Sequence, residues 1–174
     1  MNLLVVGGAG YIGSHIVPEA LERGYKITVF DNLSTGSLKN VNNAAKFIQG
    51  TTLSISDLSA LFKIGHYDSV IHLAASKAAG ESMSDPSKYN TNNIIGTLNL
   101  INYCVKHGIK SFVFSSSAAV YGIPQYNPID EFHSLNPNNY YGHTKLMIED
   151  SLMWFSKLKD MRFAALRYFN AAGY

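Results

Sequence analysis

The sequence has 174 residues, 47% of them hydrophobic and 15% charged, with a formal net charge of +2. That balance suits one globular domain with a sizeable core and excludes a disordered chain. No apolar run approaches the roughly 20 residues a bilayer requires, the basic residues are scattered, and Cys104 is the only cysteine. Neither a membrane nor a nucleic-acid partner is therefore expected. The chain opens directly into Met1-Asn2-Leu3-Leu4-Val5-Val6-Gly7 without the features of a signal peptide, so a cytoplasmic location is expected.

In chain order, Leu3–Val6 reads as a buried strand, and Tyr11 to about Arg23 as a helix ending near Gly24. Pro18 falls inside that helix and is expected to kink it. Ile27–Phe30 is a second strand, Lys46–Gln49 a weaker third, and Asp57–Lys63 a short helix. Ser69–Leu73 is a fourth strand. Pro86 to about His107 is a long helix, with Pro86 in its first turn and Gly108 as its C-terminal cap. Ser111–Ser115, the helix from Asn138 to about Lys157, and Arg162–Arg167 complete the series. Alternation of this kind predicts an α/β fold: a doubly wound parallel sheet, Rossmann in type, with helices on both faces. Ligands then bind beyond the carboxyl ends of the strands. Segments 7–13, 31–37, 74–82, 115–122 and 168–173 fall there and are expected to line one crevice.

Gly7, Gly10 and Gly13 recur every third residue between the first strand and first helix. Bare glycines allow a tight turn and close approach of a pyrophosphate, while the helix N-terminus offers free N–H groups. Gly13 is expected to let the helix pack close to the sheet. Asp31 ends the second strand about 20 residues on, where a carboxylate accepts hydrogen bonds from ribose hydroxyls. No arginine stands beside it, so NAD is expected over NADP.

Tyr141 and Lys145 lie one helical turn apart. A tyrosine is a poor base near pH 7, and a neighbouring ammonium is expected to lower its pKa. Ser115, Ser116 and Ser117 end the fifth strand, where a hydroxyl can hydrogen-bond a reacting oxygen. His143 is expected to face solvent and His72 to be structural. No grouping of His, Cys, Asp and Glu suggests a metal.

At this point the chain resembles a known family, the UDP-glucose 4-epimerases of the extended short-chain dehydrogenase/reductase superfamily. The resemblance rests on GGAGYIGSH at 7–15, DNLSTG at 31–36, VIHLAASKAAGES at 70–82, NNIIGT at 92–97, FSSSAAVYG at 114–122, YYGHTKLMIE at 140–149 and LRYFNAAG at 166–173. It implies interconversion of UDP-galactose and UDP-glucose, with hydride passing from sugar C4 to NAD and back through a 4-keto sugar. Tyr141 is implied as the base, Lys145 as its partner and the holder of the nicotinamide ribose, and Ser117 as the active-site serine. Tyr11, Ile12, Asp31, Asn32, Leu73, Ala74, Ala75, Lys77, Asn92 and Phe169 match cofactor contacts, and Asn170 a substrate contact. A homodimer through helices 86–107 and 138–158 is also implied, with Met147, Ile148 and Met153 as candidate contacts, although core packing reads equally well.

Two departures stand out. Thr51 occupies a place where the family usually carries an acidic residue near the adenine. The family's C-terminal substrate domain, which the resemblance implies supplies most of the nucleotide pocket, is expected to be absent, and the whole chain 1–174 reads as the NAD-binding domain. An alternative is therefore a cofactor-binding module with little or no turnover. Another is a different NDP-sugar epimerase or dehydratase. Dehydratases need an acid and a base after the active-site hydroxyl residue, whereas Ala118 and Ala119 follow Ser117.

Overall fold

The structure, a computed structural model, describes residues 1–173. Six strands form one parallel sheet: β1 (Asn2–Val6), β2 (Lys26–Asp31), β3 (Lys46–Gln49), β4 (Ser69–His72), β5 (Ser111–Ser117) and β6 (Arg162–Tyr168). Their order is β3-β2-β1-β4-β5-β6. The winding reverses between β1 and β4, which pair in register from Leu3 against Ser69 to Val6 against His72. A crevice opens at such a reversal, beyond the carboxyl ends of the strands.

Side chains alternate across a strand, so β1 feeds two cores. Leu3 and Val5 join Val17 and Ala20 of α1 (Tyr11–Glu22). Leu4 and Val6 join Leu58 and Leu61 of α2 (Ile55–Ile64), Leu100 and Ile101 of α5 (Gly96–Lys106), and Ile148 and Leu152 of α6 (Tyr140–Lys159). Helices thus cover both faces, as the apolar runs predict. Two short helices, α3 (Ala79–Ser84) and α4 (Pro86–Tyr89), lie between β4 and α5. Among the described residues, no helix is long and apolar enough to cross a membrane.

The differences from the sequence reading are local. Helix α1 runs unbroken through Pro18, its one missing N–H notwithstanding. Helix α2 starts at Ile55, because Ser54 caps it by accepting from Asp57 N at 3.1 Å. The expected helix from Pro86 runs without a break to Lys106, but its stretch Asn90–Ile95, between α4 and α5, is π-helical. Residues 79–84, read as part of a polar loop, are helical. Helix α6 begins at Tyr140, since the Asn139 side chain accepts from Gly142 N at 2.8 Å. Ile148 is only 1% exposed and belongs to the core, which removes it from the candidate dimer contacts.

Leu100 is fully buried on α5, whereas Ile123 is 76% exposed in the loop after β5. Leu100→Ala is expected to lower the unfolding free energy by about 2–5 kcal/mol, and Ile123→Ala to change it by less than about 0.5 kcal/mol. Urea denaturation of the two variants measures both.

Candidate active site at the carboxyl edge of the sheet

The loop after β1 is built around backbone contact. Gly7 has φ +82°, and a Cβ there would meet Ala74 N at 2.4 Å, so any side chain would drive the ends of β1 and β4 apart. Leu73 N and Ala74 N both donate to Val6 O, at 2.8 and 3.2 Å. Gly13 is required for a different reason than packing on the sheet: its Cβ would meet Gly8 O at 2.4 Å, within the loop itself. Gly10 has room around it, with only Gly7 O at 3.4 Å. As N-cap of α1, Gly10 brings no capping side chain, and the first turn carries no carboxylate. The helix therefore presents unscreened N–H groups and its positive end to the crevice, a cradle that fits a pyrophosphate.

The rest of this half of the crevice is tied to the same loop. Asp31 Oδ2 accepts from Ala9 N at 3.0 Å and Oδ1 from Leu33 N at 2.8 Å. Each oxygen keeps lone-pair capacity for a ribose hydroxyl. Asn32 accepts from Ser34 N at 3.0 Å. Ala9 O in turn accepts from Ser37 N and the Asn40 side chain. Thr51 N donates to Asp57 Oδ2 at 3.0 Å, so a carboxylate does reach position 51, from the next helix. Tyr11 reaches across to Gly173, donating to its carbonyl at 2.9 Å. The segment after β6, with Phe169 and Asn170 both exposed, thereby returns to the glycine loop. Lys77 is exposed and Ala75 half-buried on the loop after β4.

On the other side of the crevice α6 crosses the end of β5. Gly142 faces Ala119, where a Cβ would meet the carbonyl at 2.5 Å. The Lys145 side chain is buried, donates to Ser115 O at 2.6 Å, and lies 4.8 Å from the Phe114 ring centroid and 5.8 Å from that of Tyr141. Burial lowers the Lys145 pKa to about 7, opposed by the Glu149 carboxylate. The Tyr141 phenol is raised by its own burial and lowered by the nearby Ser117 hydroxyl. Lys145 thus does not pull the phenol pKa down as the spacing predicts; the ammonium is turned to a strand carbonyl and sits over the ring. Ser117 Oγ accepts from Ala119 N at 3.2 Å, starting the turn after β5. His143 is exposed. His72 is buried and held neutral, its pKa pushed down to about 3 by burial and by Lys145, with Nε2 2.8 Å from Thr97 Oγ1. Among the described residues no group of three or more His, Cys, Asp or Glu could hold a metal ion.

Two supports escaped the sequence reading. Asn93, in the π-helical stretch, accepts from Ser76 N at 2.8 Å and donates to Ser76 O at 2.9 Å and Thr144 Oγ1 at 3.2 Å. It joins the loop after β4 to α6 one turn from Tyr141, whose carbonyl accepts from Thr144 Oγ1. Its neighbour Asn92 donates to Ser76 Oγ at 3.2 Å. The second support is α3: Ser82 Oγ accepts from Tyr141 N at 3.0 Å, filling one of the open donor positions of α6. A π-helical stretch is a frequent mark of a functional site, but nothing in the local composition announces one.

Residues 3–174 match the family described as NAD dependent epimerase/dehydratase. The chain belongs to that family. Among curated relatives, it is 44% identical over 173 residues to a UDP-glucose 4-epimerase of Lactobacillus helveticus, covering 99% of this chain and 52% of the relative. The structure of a Brucella ovis UDP-glucose 4-epimerase in complex with NAD superposes with a TM-score of 0.95 at 44% identity, over 99% of this chain and 53% of that one. A Thermotoga maritima UDP-glucose 4-epimerase with UDP-glucose gives a TM-score of 0.95 at 36% identity, over 99% and 57%. The chain spans about half the length of the relatives it matches.

The Lys145 shift carries a pH signature. Its folded pKa lies below the unfolded value, so between about pH 7 and 10 the unfolded chain binds the extra proton and this group makes stability rise with pH. Relative to Lys145→Met, the wild-type chain is expected to gain stability over that interval. Denaturant unfolding of both proteins at pH 7, 8, 9 and 10 checks the sign.

Proposed function

We propose that this chain is the NAD-binding, proton-handling half of a UDP-glucose 4-epimerase. The observation that carries the reading is the convergence of Ser117, Tyr141 and Lys145 beside a glycine cradle, at the carboxyl edge of the sheet. Gly7, Gly10, Tyr11, Ile12 and Gly13 would hold the pyrophosphate; Asp31 and Asn32 the adenosine ribose; Leu73, Ala74, Ala75, Lys77, Asn92 and Phe169 the rest of the dinucleotide. Tyr141, assisted by Ser117, takes the proton of the sugar 4-hydroxyl, and Asn170 contacts the sugar. When bound, NAD supplies the hydride acceptor at sugar C4, and the positive charge of its nicotinamide favours the phenolate. Lys145, 5.8 Å from the centroid of the Tyr141 ring, would hold the nicotinamide ribose. Ala118 and Ala119 follow Ser117 where a dehydratase would need an acid and a base, which favours epimerisation over dehydration.

The chain spans about half the length of its relatives; the remainder is inferred to supply most of the nucleotide pocket, and orientation of a substrate accounts for much of enzymatic rate. The chain alone is expected to bind NAD weakly, in preference to NADP, and to turn over little UDP-galactose. Calorimetric titration with each dinucleotide and a coupled assay for UDP-glucose check this. Binding of neither dinucleotide would overturn the reading. Joined to the second half of a homologous epimerase, the chain is expected to be active, and Tyr141→Phe to lower kcat by about 10²–10⁴-fold, the range for loss of a general base.

The same reading includes a homodimer. Met147, Met153, Trp154 and Leu158 are exposed on α6, and Ile95 just before α5. Met147, Trp154 and Leu158 recur at helical spacing, forming one apolar seam. Sedimentation of the chain is expected to show a dimer, and Trp154→Glu a monomer.

A further inference from the structure

Beneath the proton-handling residues lies a buried ionic network that the proposed reaction does not use. Tyr141, Lys145 and Glu149 follow one another at intervals of one turn on the same face of α6. The Glu149 carboxylate is buried and paired with Arg167, whose Nη2 donates to Oε2 at 2.7 Å and whose Nε lies 3.1 and 3.2 Å from the two oxygens. The Ser116 hydroxyl donates to Glu149 Oε1. Ser116 and Arg167 are register partners on β5 and β6, so one carboxylate grips adjacent strands. Arg167 Nη1 donates to Tyr121 OH at 3.1 Å, and the guanidinium lies 5.0 Å from that ring centroid. The network therefore reaches the turn that follows Ser117.

Its position relative to Lys145 is the telling feature. Ser116 stands between Ser115, whose carbonyl receives the Lys145 ammonium, and Ser117, the hydroxyl beside Tyr141. The groups facing Lys145 are few. From β5 come the Ser115 carbonyl and the Phe114 ring, from β4 the neutral His72, and from α6 Tyr141 and Glu149. Among the described residues, Glu149 is the anion of that set, and Arg167 is the cation behind it. We propose that Glu149 is a positioning residue for the Ser117–Tyr141–Lys145 set, its carboxylate both holding the end of β5 against α6 and stabilising the charged form of Lys145. This inference rests on the proton-handling role given to those three residues above. Burial drives Lys145 toward the neutral form, and a buried anion one turn away opposes it. Arg167 and Ser116 keep that anion ionised and in place.

The test reads Lys145 directly in the 174-residue chain, without NAD or sugar, so its outcome is independent of whether the epimerase reading survives. The chain is labelled with lysine carrying ¹³C at Cε, the Lys145 signal is assigned by its loss in Lys145→Arg, and its pKa is followed by NMR. Glu149→Gln is expected to lower that pKa by about one unit or more. Arg167→Gln removes the opposing cation and is expected to raise it. A merely structural brace would move both variants together or move neither, and either result overturns the proposal. Should Glu149→Gln fail to fold, Arg167→Gln and Glu149→Asp carry the test. The aspartate variant keeps the charge and is expected to hold Lys145 near its wild-type value, and a fall there also overturns the proposal.

Discussion

Everything on the reactive side of this structure depends on a cation brought into the core. The Lys145 ammonium is buried against a strand carbonyl at 2.6 Å. An ammonium in such a place is costly unless its surroundings answer it. The answer is distributed: a carbonyl dipole from β5, the face of Phe114, a carboxylate one turn along α6, and a histidine that stays neutral. None of these groups could shift far without exposing the charge to an unpaired interior. The requirement therefore pins α6 to the end of β5, and with it the neighbouring Tyr141 and Ser117.

The two halves of the crevice are held by different physics. The glycine side is a backbone construction in which β1 and β4 approach so closely that position 7 tolerates no Cβ. Its ligand-facing groups are backbone amides and a helix dipole, with the Asp31 carboxylate tied to the same loop. The α6 side is a side-chain construction, held by buried charge, amide and hydroxyl contacts. Asn93 joins the two, because Ser76, which it clasps through both backbone groups, follows the Ala74–Ala75 turn that touches Gly7. A π-helical stretch re-aims side chains relative to a regular helix. Here it delivers Asn92 and Asn93 together to the loop after β4.

The sheet was legible because its signal is repeated: each strand is an apolar run, and six runs with crossovers leave few topologies. The glycine turn, Asp31, Tyr141 and Lys145 were legible because their chemistry needs particular residues at fixed spacing. What escaped lacks local signal. Asn93 differs from Asn92 by one position and its role appears only when Ser76 and Thr144 arrive from elsewhere in the chain. Helix α3 is a stretch of small and polar residues, Ala-Gly-Glu-Ser-Met-Ser, without an apolar period, and its contact with the α6 N-terminus appears only in the fold. The direction of the Tyr141 and Lys145 shifts also escaped. Spacing shows that two groups are near, but not how deeply each is buried, and burial is the larger cause for both.

Burial alone raises the phenol and lowers the ammonium, which moves both groups toward their neutral forms. A neutral phenol is a poor base. Reactivity then has to come from charge added at the crevice, and the glycine cradle is built to receive a ligand whose positive ring would sit over this same edge. On this reading, binding of the cofactor and activation of Tyr141 are one electrostatic event. The chain's own contribution is to bury Lys145 beside the Tyr141 ring, where burial pulls its pKa down and the Glu149 carboxylate opposes that fall.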